Sequence, residues 1–397
     1  MTLSQAVVVY SIAFPLVGGS HQFLHGLPVA AALSRRRDVT VEIFVPCHAD
    51  ADVARDMLHA LGAERVPVTI MTLPAIVDRV LGHFGKSGPL KMLRLSWWCG
   101  RLREFQCIVS LERTSTWLCR LPGACPPMVH IPHGVGGARR ASGGGVDRRF
   151  SLFDLALLAG PADVRWTVEH GLMPPERVFA VGQVKLAGLH RLKKLARRPL
   201  FANGRPTILY NPHFHPRRGS WARFGRELIS AVKRDGSFNL IVAPHVRLFA
   251  EKCPAERQSL EALSDPDWLL VDLGSERCTN MTYTLGADIY LGDFSSQLYE
   301  WLIFPRPCVF IDQIADGGRD DSKLPAMWSL GETVTTPDQV VASLHRATAS
   351  HSRYKARQIE TMLDAVGDFR SPADENAADR IVDFIVEGAS MPIPQRQ

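Results

Sequence analysis

The feature that most constrains the fold is a repeated alternation of short, apolar, β-branched runs with helical segments. Residues 6–10 form a continuous run of this kind, and the runs at 40–45 and 68–71 follow it at a spacing of about 30 residues. Such apolar runs are typical of central strands in a parallel sheet, because helices cover both faces of that sheet. With the helical segments 21–33 and 51–61 between them, these runs predict a doubly wound α/β sheet.

The same alternation begins again in the second half of the chain. Apolar runs at 207–210, 239–245, 268–272 and 308–312 have helical segments between them. A single core seldom grows beyond about 250–300 residues, so a chain of 397 residues is expected to contain two domains. We predict four segments: a first Rossmann-like domain at 1–186, a linker at 187–205, a second Rossmann-like domain at 206–375, and a C-terminal helix and tail at 376–397.

Charge and cysteine content narrow the class of protein. The formal net charge is +6, which is too weak to indicate a nucleic-acid-binding protein but suits an anionic small substrate or a loose contact with an anionic membrane surface. None of the eight cysteines forms a CxxC pair, which argues against a zinc ribbon or a redox pair and favours a reduced, cytoplasmic protein. No run reaches the ~18 apolar residues of a membrane span.

The stretch 286–302 has the local pattern of an anion-binding site. An apolar strand at 289–291 is followed by a turn, and Ser295 and Ser296 stand where a helix would start. Free backbone N–H groups and serine hydroxyls at such a position can hold a phosphate. Glu300, one turn further on, could accept a hydrogen bond from a sugar hydroxyl or a base edge. The same pattern also fits an ordinary capped helix with a solvated glutamate.

Several histidines directly follow predicted strands. His133 does so in the first half, and His213, His215 and His245 do so in the second half. Loops at the carboxyl ends of strands face the cleft in open α/β sheets, so these side chains are expected to converge there.

A metal site at these histidines is disfavoured. The pair His213 and His215 has no aspartate or glutamate nearby, and Arg217 and Arg218 follow it. Arginines repel a cation and attract phosphate. We therefore predict no metal, and a phosphate-bearing ligand instead.

Several segments resemble the sequence pattern of CDP-glycerol glycerophosphotransferase-like proteins. The similarity is best over 205–385 and thin in the first half. It rests on an Ala-Asp, strand, Asp-aromatic-Ser-Ser, helix segment at 287–300, the strand at 305–310, the His-Gly pair at 133–134, the strand ends at 211–213 and 243–245, and the helix at 368–380.

The resemblance implies a GT-B-like fold, in which two Rossmann-like domains face a central cleft and the C-terminal one holds the nucleotide. It implies transfer of a glycerol-phosphate, or related polyol-phosphate or sugar, unit from a CDP-activated donor to a hydroxyl of a cell-surface polymer or lipid-linked acceptor. The donor is a substrate, and no resident cofactor is implied. A cytoplasmic location at the inner face of the membrane, with a peripheral contact, is expected from where such acceptors lie.

Roles for individual residues follow from this resemblance. His133 would be the general base, and His245 would stabilise charge on the transferring phosphate. The donor nucleotide and diphosphate would contact Ser295, Ser296, Glu300, His213, His215 and Arg217. The acceptor side would include Gly134 and the two glycines of the first strand–helix loop, Gly18 and Gly19.

Two other functions remain open. One is a GT-B glycosyltransferase, or a relative of the UDP-sugar 2-epimerases, that uses a UDP- or GDP-sugar. The sequence at 133–137, His-Gly-Val-Gly-Gly, lacks the glutamate of the epimerase pattern His-x-Glu-Ala-Gly, which counts against the epimerase. The second open function is that of a non-enzymatic scaffold that binds nucleotide or polymer.

The chain also departs from the glycerophosphotransferase-like pattern. That family more often has Thr-Pro-Leu-Lys after the His-Gly pair, where this chain has Val-Gly-Gly. The departure bears on the acceptor and on the transferred unit.

Overall fold

The computed structural model describes residues 8–75, 77, 88–135, 146–215, 219–250, 252–293, 295, 297–312 and 328–390. Contacts divide the chain into two units. The first contains Met1–Lys194 and Leu363–Gln397, and the second contains Leu195–Met362. The second unit therefore ends at Met362, and the residues from Leu363 onward belong to the first unit. The predicted second domain extends further, to residue 375.

The first unit is built on a parallel sheet with the strand order β3-β2-β1-β4-β5-β6-β7 among the described residues. Its strands are β1 (Tyr10–Pro15), β2 (Val39–Val45), β3 (Val68–Ile70), β4 (Cys107–Ser110), β5 (Met128–His130), β6 (Leu155–Leu158) and β7 (Val178–Ala180). Its α-helices are α1 (Leu27–Ser34), α2 (His48–Ala60), α3 (Gly88–Trp97), α4 (Cys99–Leu102), α5 (Pro161–Glu169) and α6 (Val184–Arg191), and its 3-10 helices are Ser20–His25, Arg113–Arg120, Arg148–Leu152 and Pro175–Arg177.

The second unit contains a parallel sheet with the order β10-β9-β8-β11-β12-β13 among its described residues. Its strands are β8 (Thr207–Asn211), β9 (Asn239–Val242), β10 (Leu269–Val271), β11 (Ile289–Gly292), β12 (Cys308–Ile311) and β13 (Glu332–Val334). Its helices are α7 (Trp221–Asp235), α8 (Pro254–Glu261), α9 (Thr282–Gly286), α10 (Gln297–Trp301) and α11 (Val340–Ser350), with 3-10 helices at Glu276–Cys278 and Pro337–Gln339. A further helix, α12 (Ser352–Val366), crosses the division at Leu363, and α13 (Ala373–Ser390) belongs to the first unit.

The prediction of two doubly wound sheets is confirmed. In each sheet the first strand in sequence lies between the second and the fourth, so the direction of winding reverses between β1 and β4 and between β8 and β11. Ligands of open parallel sheets bind beyond the carboxyl ends of the strands at such a reversal. The loops that follow these strands are therefore the places to examine for a site.

The first predicted strand was placed too early in the chain. β1 spans Tyr10–Pro15, and Ile12 and Phe14 are fully buried, whereas the β-branched Val8 and Val9 are exposed. Residues 8 and 9 of the apolar run therefore lie outside the sheet, and residues 6 and 7 lie outside the described residues. Pro15 is tolerated because it ends the strand.

Two other predicted elements differ in detail. The helix expected at 21–33 is divided at Gly26 into a 3-10 helix and α1, and Pro28 lies at the start of α1, where its missing N–H has no consequence. The linker expected to begin at residue 187 is helical at its start, because α6 packs on α1 within the first unit.

The last helix packs on the first core rather than on the second. α13 lies against α1, and its Ala377 and Ile381 are fully buried in the core of the first unit. Asp374 of α13 is buried and forms an ion pair with Arg191 of α6 at 2.9 Å. Across the described part of the chain, no helix combines the length and the apolar character needed to span a bilayer.

Candidate functional site

Three strand ends meet at the carboxyl edge of the second sheet. Asn211 ends β8, and its Nδ2 donates to the carbonyl oxygen of Ala243, which follows β9, at 2.6 Å. Gly292 ends β11 opposite Asn211, and a Cβ at this glycine would lie 2.8 Å from the Asn211 carbonyl oxygen. The absence of a side chain at Gly292 therefore lets the two strand ends approach closely.

The structure brings His213 and His245 together at this edge. Their ring centroids are 5.5 Å apart, and the ring of Phe214 lies 4.5 Å from that of His213 and 4.6 Å from that of His245. The guanidinium of Arg247 lies 4.2 Å from the centroid of Phe214. His215 is half-buried in the same loop, and Arg217 lies outside the described residues.

Backbone contacts determine which nitrogen of each ring carries a proton. The N–H of His215 donates to Nδ1 of His213 at 3.0 Å, and the N–H of Arg247 donates to Nδ1 of His245 at 3.2 Å. A ring nitrogen that accepts a hydrogen bond carries no proton, so Nε2 is the protonated nitrogen in both rings. Burial, and then the charge of Arg247, lowers the pKa of His245 to about 4. At neutral pH His245 can therefore donate a hydrogen bond to a phosphate but brings no positive charge.

Asp293 is a central residue of this edge, and the sequence analysis gave it no role beyond its place in the turn and in the Asp-aromatic-Ser-Ser segment. It is buried, and its Oδ2 accepts hydrogen bonds from the N–H groups of His213 at 2.7 Å and Ser220 at 2.8 Å. Its Oδ1 is buried with no hydrogen-bond partner among the described residues. Burial raises the pKa of Asp293 to about 6, although the two backbone N–H groups lower it. The signal in the sequence was an acidic residue directly after a fully apolar strand.

Ser295 is buried next to Asp293, and its Oγ accepts from the N–H of Gln297 at 3.3 Å. Its hydroxyl therefore contacts the first residue of α10, which begins at Gln297 and is only five residues long. So short a helix has only a weak dipole to offer an anion. Glu300 is half-buried on α10, and Ser296 lies outside the described residues.

In the first unit, His133 follows β5 and is exposed. Its Nδ1 lies 2.8 Å from the carbonyl oxygen of Leu111. A carbonyl only accepts, so Nδ1 donates and Nε2 of the neutral ring is unprotonated. Gly134 follows with φ +129°, a backbone conformation that favours glycine, and the ring of His21 contacts that of His133 edge-on at 6.2 Å. His133 thus has the tautomer that a general base needs.

A buried carboxylate that the sequence analysis did not identify lies beside His133. Glu112 accepts from Lys91 Nζ at 2.8 and 3.0 Å and from Gln22 Nε2 at 2.8 Å. Burial raises the pKa of Glu112, but Lys91, Gln22 and His133 together outweigh burial and hold this pKa below its usual value. Gly18 leaves room for this network, because a Cβ there would clash with Glu112 Oε1.

Gly19, the neighbour of Gly18, has φ +103°, which favours glycine at this turn. Glu112 comes two residues after β4, so its place at a strand end was a readable signal. Lys91 and Gln22 had no comparable signal, because they lie in helices far from Glu112 in the chain. Within the described ranges, no three His, Cys, Asp or Glu side chains are grouped to hold a metal ion.

Comparisons with known proteins identify the fold. No protein-family model and no curated protein sequence matches the chain. Among solved structures, UDP-GlcNAc 2-epimerase from Neisseria meningitidis bound to UDP-GlcNAc aligns with a TM-score of 0.62 at 13% identity, over 96% of this chain and 100% of that one. The S. aureus MnaA–UDP structure aligns with a TM-score of 0.61 at 12% identity, over 98% and 99% of the two chains.

The wall teichoic acid polymerase TagF, in a structure soaked with CDPG, aligns with a TM-score of 0.63 at 13% identity, over 96% of this chain and 90% of that one. Structural similarity with only 12–13% sequence identity establishes the fold and no more. The two doubly wound units of this chain form a GT-B-like fold.

Proposed function

We propose that the chain is a GT-B transferase that moves a glycerol-phosphate, or related polyol-phosphate, unit from a CDP-activated donor to a hydroxyl of a cell-surface polymer or lipid-linked acceptor. The observation that carries the proposal is the opposite protonation of the strand-end histidines. His133 presents an unprotonated Nε2, whereas His213 and His245 present protonated Nε2 atoms. One base and two hydrogen-bond donors are what transfer of a phosphate to a hydroxyl requires.

The second unit would hold the donor. The hydroxyl of Ser295 and the Nε2–H groups of His213 and His245 would donate to the diphosphate oxygens, with Ser296 and His215 beside them. Because His245 is neutral, Arg247 and Arg217 would supply the positive charge that the diphosphate needs. Glu300 would accept from the ribose or from a hydroxyl of the donor. The donor is a substrate, and no resident cofactor or metal forms part of the proposal.

The first unit would supply the base. The acceptor hydroxyl oxygen would attack the phosphorus that carries the polyol, and His133 Nε2 would take the hydroxyl proton. The bond from that phosphorus to the bridging oxygen of the diphosphate would break, and CMP would leave with the electron pair. Gly18, Gly19 and Gly134 would keep the backbone beside the acceptor free of side chains. Such an acceptor would place the protein at the inner face of the membrane, in peripheral contact.

A second candidate function is chemistry on a UDP- or GDP-sugar. Glu112 favours it, because an ionised carboxylate beside an imidazole can also serve acid–base chemistry at a sugar carbon. The N. meningitidis epimerase with UDP-GlcNAc and the MnaA–UDP structure share this fold.

The remaining alternative is a non-enzymatic scaffold that binds nucleotide or polymer. Such a scaffold would use the second unit alone.

Ligand-induced stabilisation separates these candidates. We expect CDP and CMP to raise the melting temperature more than UDP or GDP at equal concentration, because a ligand stabilises the state that binds it. A preference for UDP or GDP would favour the second candidate.

Turnover then tests the roles. With CDP-glycerol and a lipid-linked glycerol-phosphate primer, His133→Ala should abolish CMP release with little change in CDP affinity, and Ser295→Ala should weaken CDP binding. The control is His59→Ala, an exposed histidine of α2. If His133→Ala releases CMP at the wild-type rate, the assignment of the base is wrong. If the wild type binds CDP but transfers nothing to any hydroxyl acceptor, the scaffold reading is favoured.

A further inference from the structure

We propose that Glu112 is a positioning residue for His133. Glu112 holds the turn whose carbonyl, that of Leu111, fixes the His133 ring with Nε2 unprotonated. Its importance for transfer rests on the proposed function, whereas its effect on the ring does not.

The turn after β4 is fixed at its backbone. The Oγ of Ser110 donates to the carbonyl oxygen of Glu112 at 2.8 Å and lies 3.2 Å from the N–H of Glu112. The carbonyl of Ser110 accepts from the N–H of Ile131, two residues before His133, at 3.0 Å. Leu111 is 1% exposed and packs in the first core. The carbonyl that contacts His133 therefore belongs to Leu111, whose two neighbours in the chain, Ser110 and Glu112, are both fixed by hydrogen bonds.

The side chain of Glu112 ties this turn to two other elements. Lys91 comes from α3, and Gln22 comes from the 3-10 helix after β1. The side chains of Lys91 and Glu112 are only 17% and 9% exposed, so water screens their attraction little. Movement of the turn would break contacts with both elements at once.

The composition of the network points to positioning rather than stability. A buried ion pair contributes little net stability compared with an apolar replacement, because both charges lose their hydration. It does impose fixed geometry, since the carboxylate has few places that satisfy both Lys91 and Gln22. This geometry fixes the backbone carbonyl of Leu111 next to the exposed imidazole of His133.

The protonation of the ring can be read directly. In protein labelled with 15N-histidine, long-range 1H–15N correlation spectra distinguish a proton on Nδ1 from one on Nε2, and His133→Asn assigns the His133 signal. At pH 8 the wild type should show Nδ1–H alone. Glu112→Ala should show a mixture of the two tautomers, and Glu112→Gln, which keeps an acceptor oxygen, should lie between them.

The kinetic readout follows from the same geometry. Glu112→Ala should lower kcat for CMP release about 10- to 100-fold with little change in KM for CDP-glycerol, because the base is misplaced while the donor site is intact. The control is Glu104→Gln, which removes an exposed partner of Arg101 and should leave both readouts unchanged. If Glu112→Ala does not fold, Lys91→Met and Gln22→Leu each remove one anchor and should give a partial mixture.

The outcomes separate the inference from the proposed function. A folded Glu112→Ala protein with only Nδ1–H at His133 overturns the positioning role, whatever its activity. A mixed tautomer in that variant supports the positioning role even if the wild type transfers no glycerol phosphate, in which case the proposed function fails alone.

Discussion

Among single residues, Asp293 combines a structural contact with an unfavourable charge. Burial raises its pKa from 3.8 to about 6, so the folded protein binds more protons at this carboxyl than the unfolded chain does between those values. The free energy of unfolding therefore falls as pH rises from about 4 to about 6. Above that range the destabilisation by the ionised Asp293 is complete and no longer changes with pH. Carboxylates retained at such a disadvantage are characteristic of functional sites.

Asp293→Asn should remove this dependence on pH. We expect the free energy of unfolding to rise by up to roughly 3 kcal/mol at pH 8, since each pKa unit corresponds to about 1.36 kcal/mol, and the gain should shrink as pH approaches 4. Urea unfolding at several pH values measures it, with Asp338→Asn, at an exposed aspartate, as the control. A variant less stable than the wild type at every pH would mean that the hydrogen bonds of Oδ2 outweigh burial.

Gly18 is required by its neighbours rather than by its own backbone angles. Gly18→Ala would push Glu112 Oε1 and the amide group of Gln22, so we expect a loss of about 1–3 kcal/mol in the free energy of unfolding, as for other overpacked sites. The matched control is Gly100→Ala in α4, where a Cβ meets nothing within 4 Å. It should be neutral or slightly stabilising, because alanine favours a helix. Equal stability of the two variants would show that the network can shift without strain.

At the scale of elements, one arginine joins three segments of the second unit. Arg306 is buried, and it donates to the carbonyl oxygens of Ala287 at 2.7 Å, Trp301 at 2.9 Å and Phe304 at 3.0 Å. Its guanidinium lies 3.6 Å from the Trp301 ring centroid. Burial, and then Arg197, lowers its pKa to about 9. Arg306 therefore satisfies carbonyls at the end of α10 and before β11, on both sides of the candidate donor site.

Arg306→Met should destabilise the second unit by about 3 kcal/mol, because it removes the buried donor of the Trp301 and Phe304 carbonyl oxygens and one of the two donors of Ala287. Arg197→Ala is the matched control, since Arg197 also donates to Ala287 but is 41% exposed. We expect it to lose less than about 1 kcal/mol, as exposed pairs do. Chemical denaturation monitored by tryptophan fluorescence measures both variants. Equal losses would contradict the role of burial.

At the scale of the whole molecule, α13 packs in the core of the first unit although the whole second unit lies between α13 and the rest of that core in the sequence. We expect Ile381→Ala in α13 to destabilise the first unit by about 2–5 kcal/mol, because a fully buried side chain is replaced by a cavity. Hydrogen exchange should show faster exchange in α1 and unchanged exchange in β11. Val386→Ala, at a residue 42% exposed on the same helix, is the control. Faster exchange in β11 as well would mean that the two units unfold together.

Much of the fold was predictable because its signals are local. β2, β8 and β11 lie where apolar runs predict strands, since a buried parallel strand needs apolar residues on both faces. β1 was misplaced because the run at 6–10 is as apolar as the strand itself, and periodicity cannot distinguish the two. β13 was missed because Glu332 and Thr333 make it look polar.

The sequence by itself determined the two doubly wound sheets and the histidines at their strand ends, because strand order and winding place those loops at one edge. Only the tertiary structure decided what those groups can do chemically. Glu112 meets Gln22 across 90 residues of chain, and Asp293 meets Ser220 across 73. The protonated nitrogen of His133 depends on a carbonyl 22 residues away. Protonation and charge depend on burial and on neighbours distant in sequence, and no local pattern specifies them.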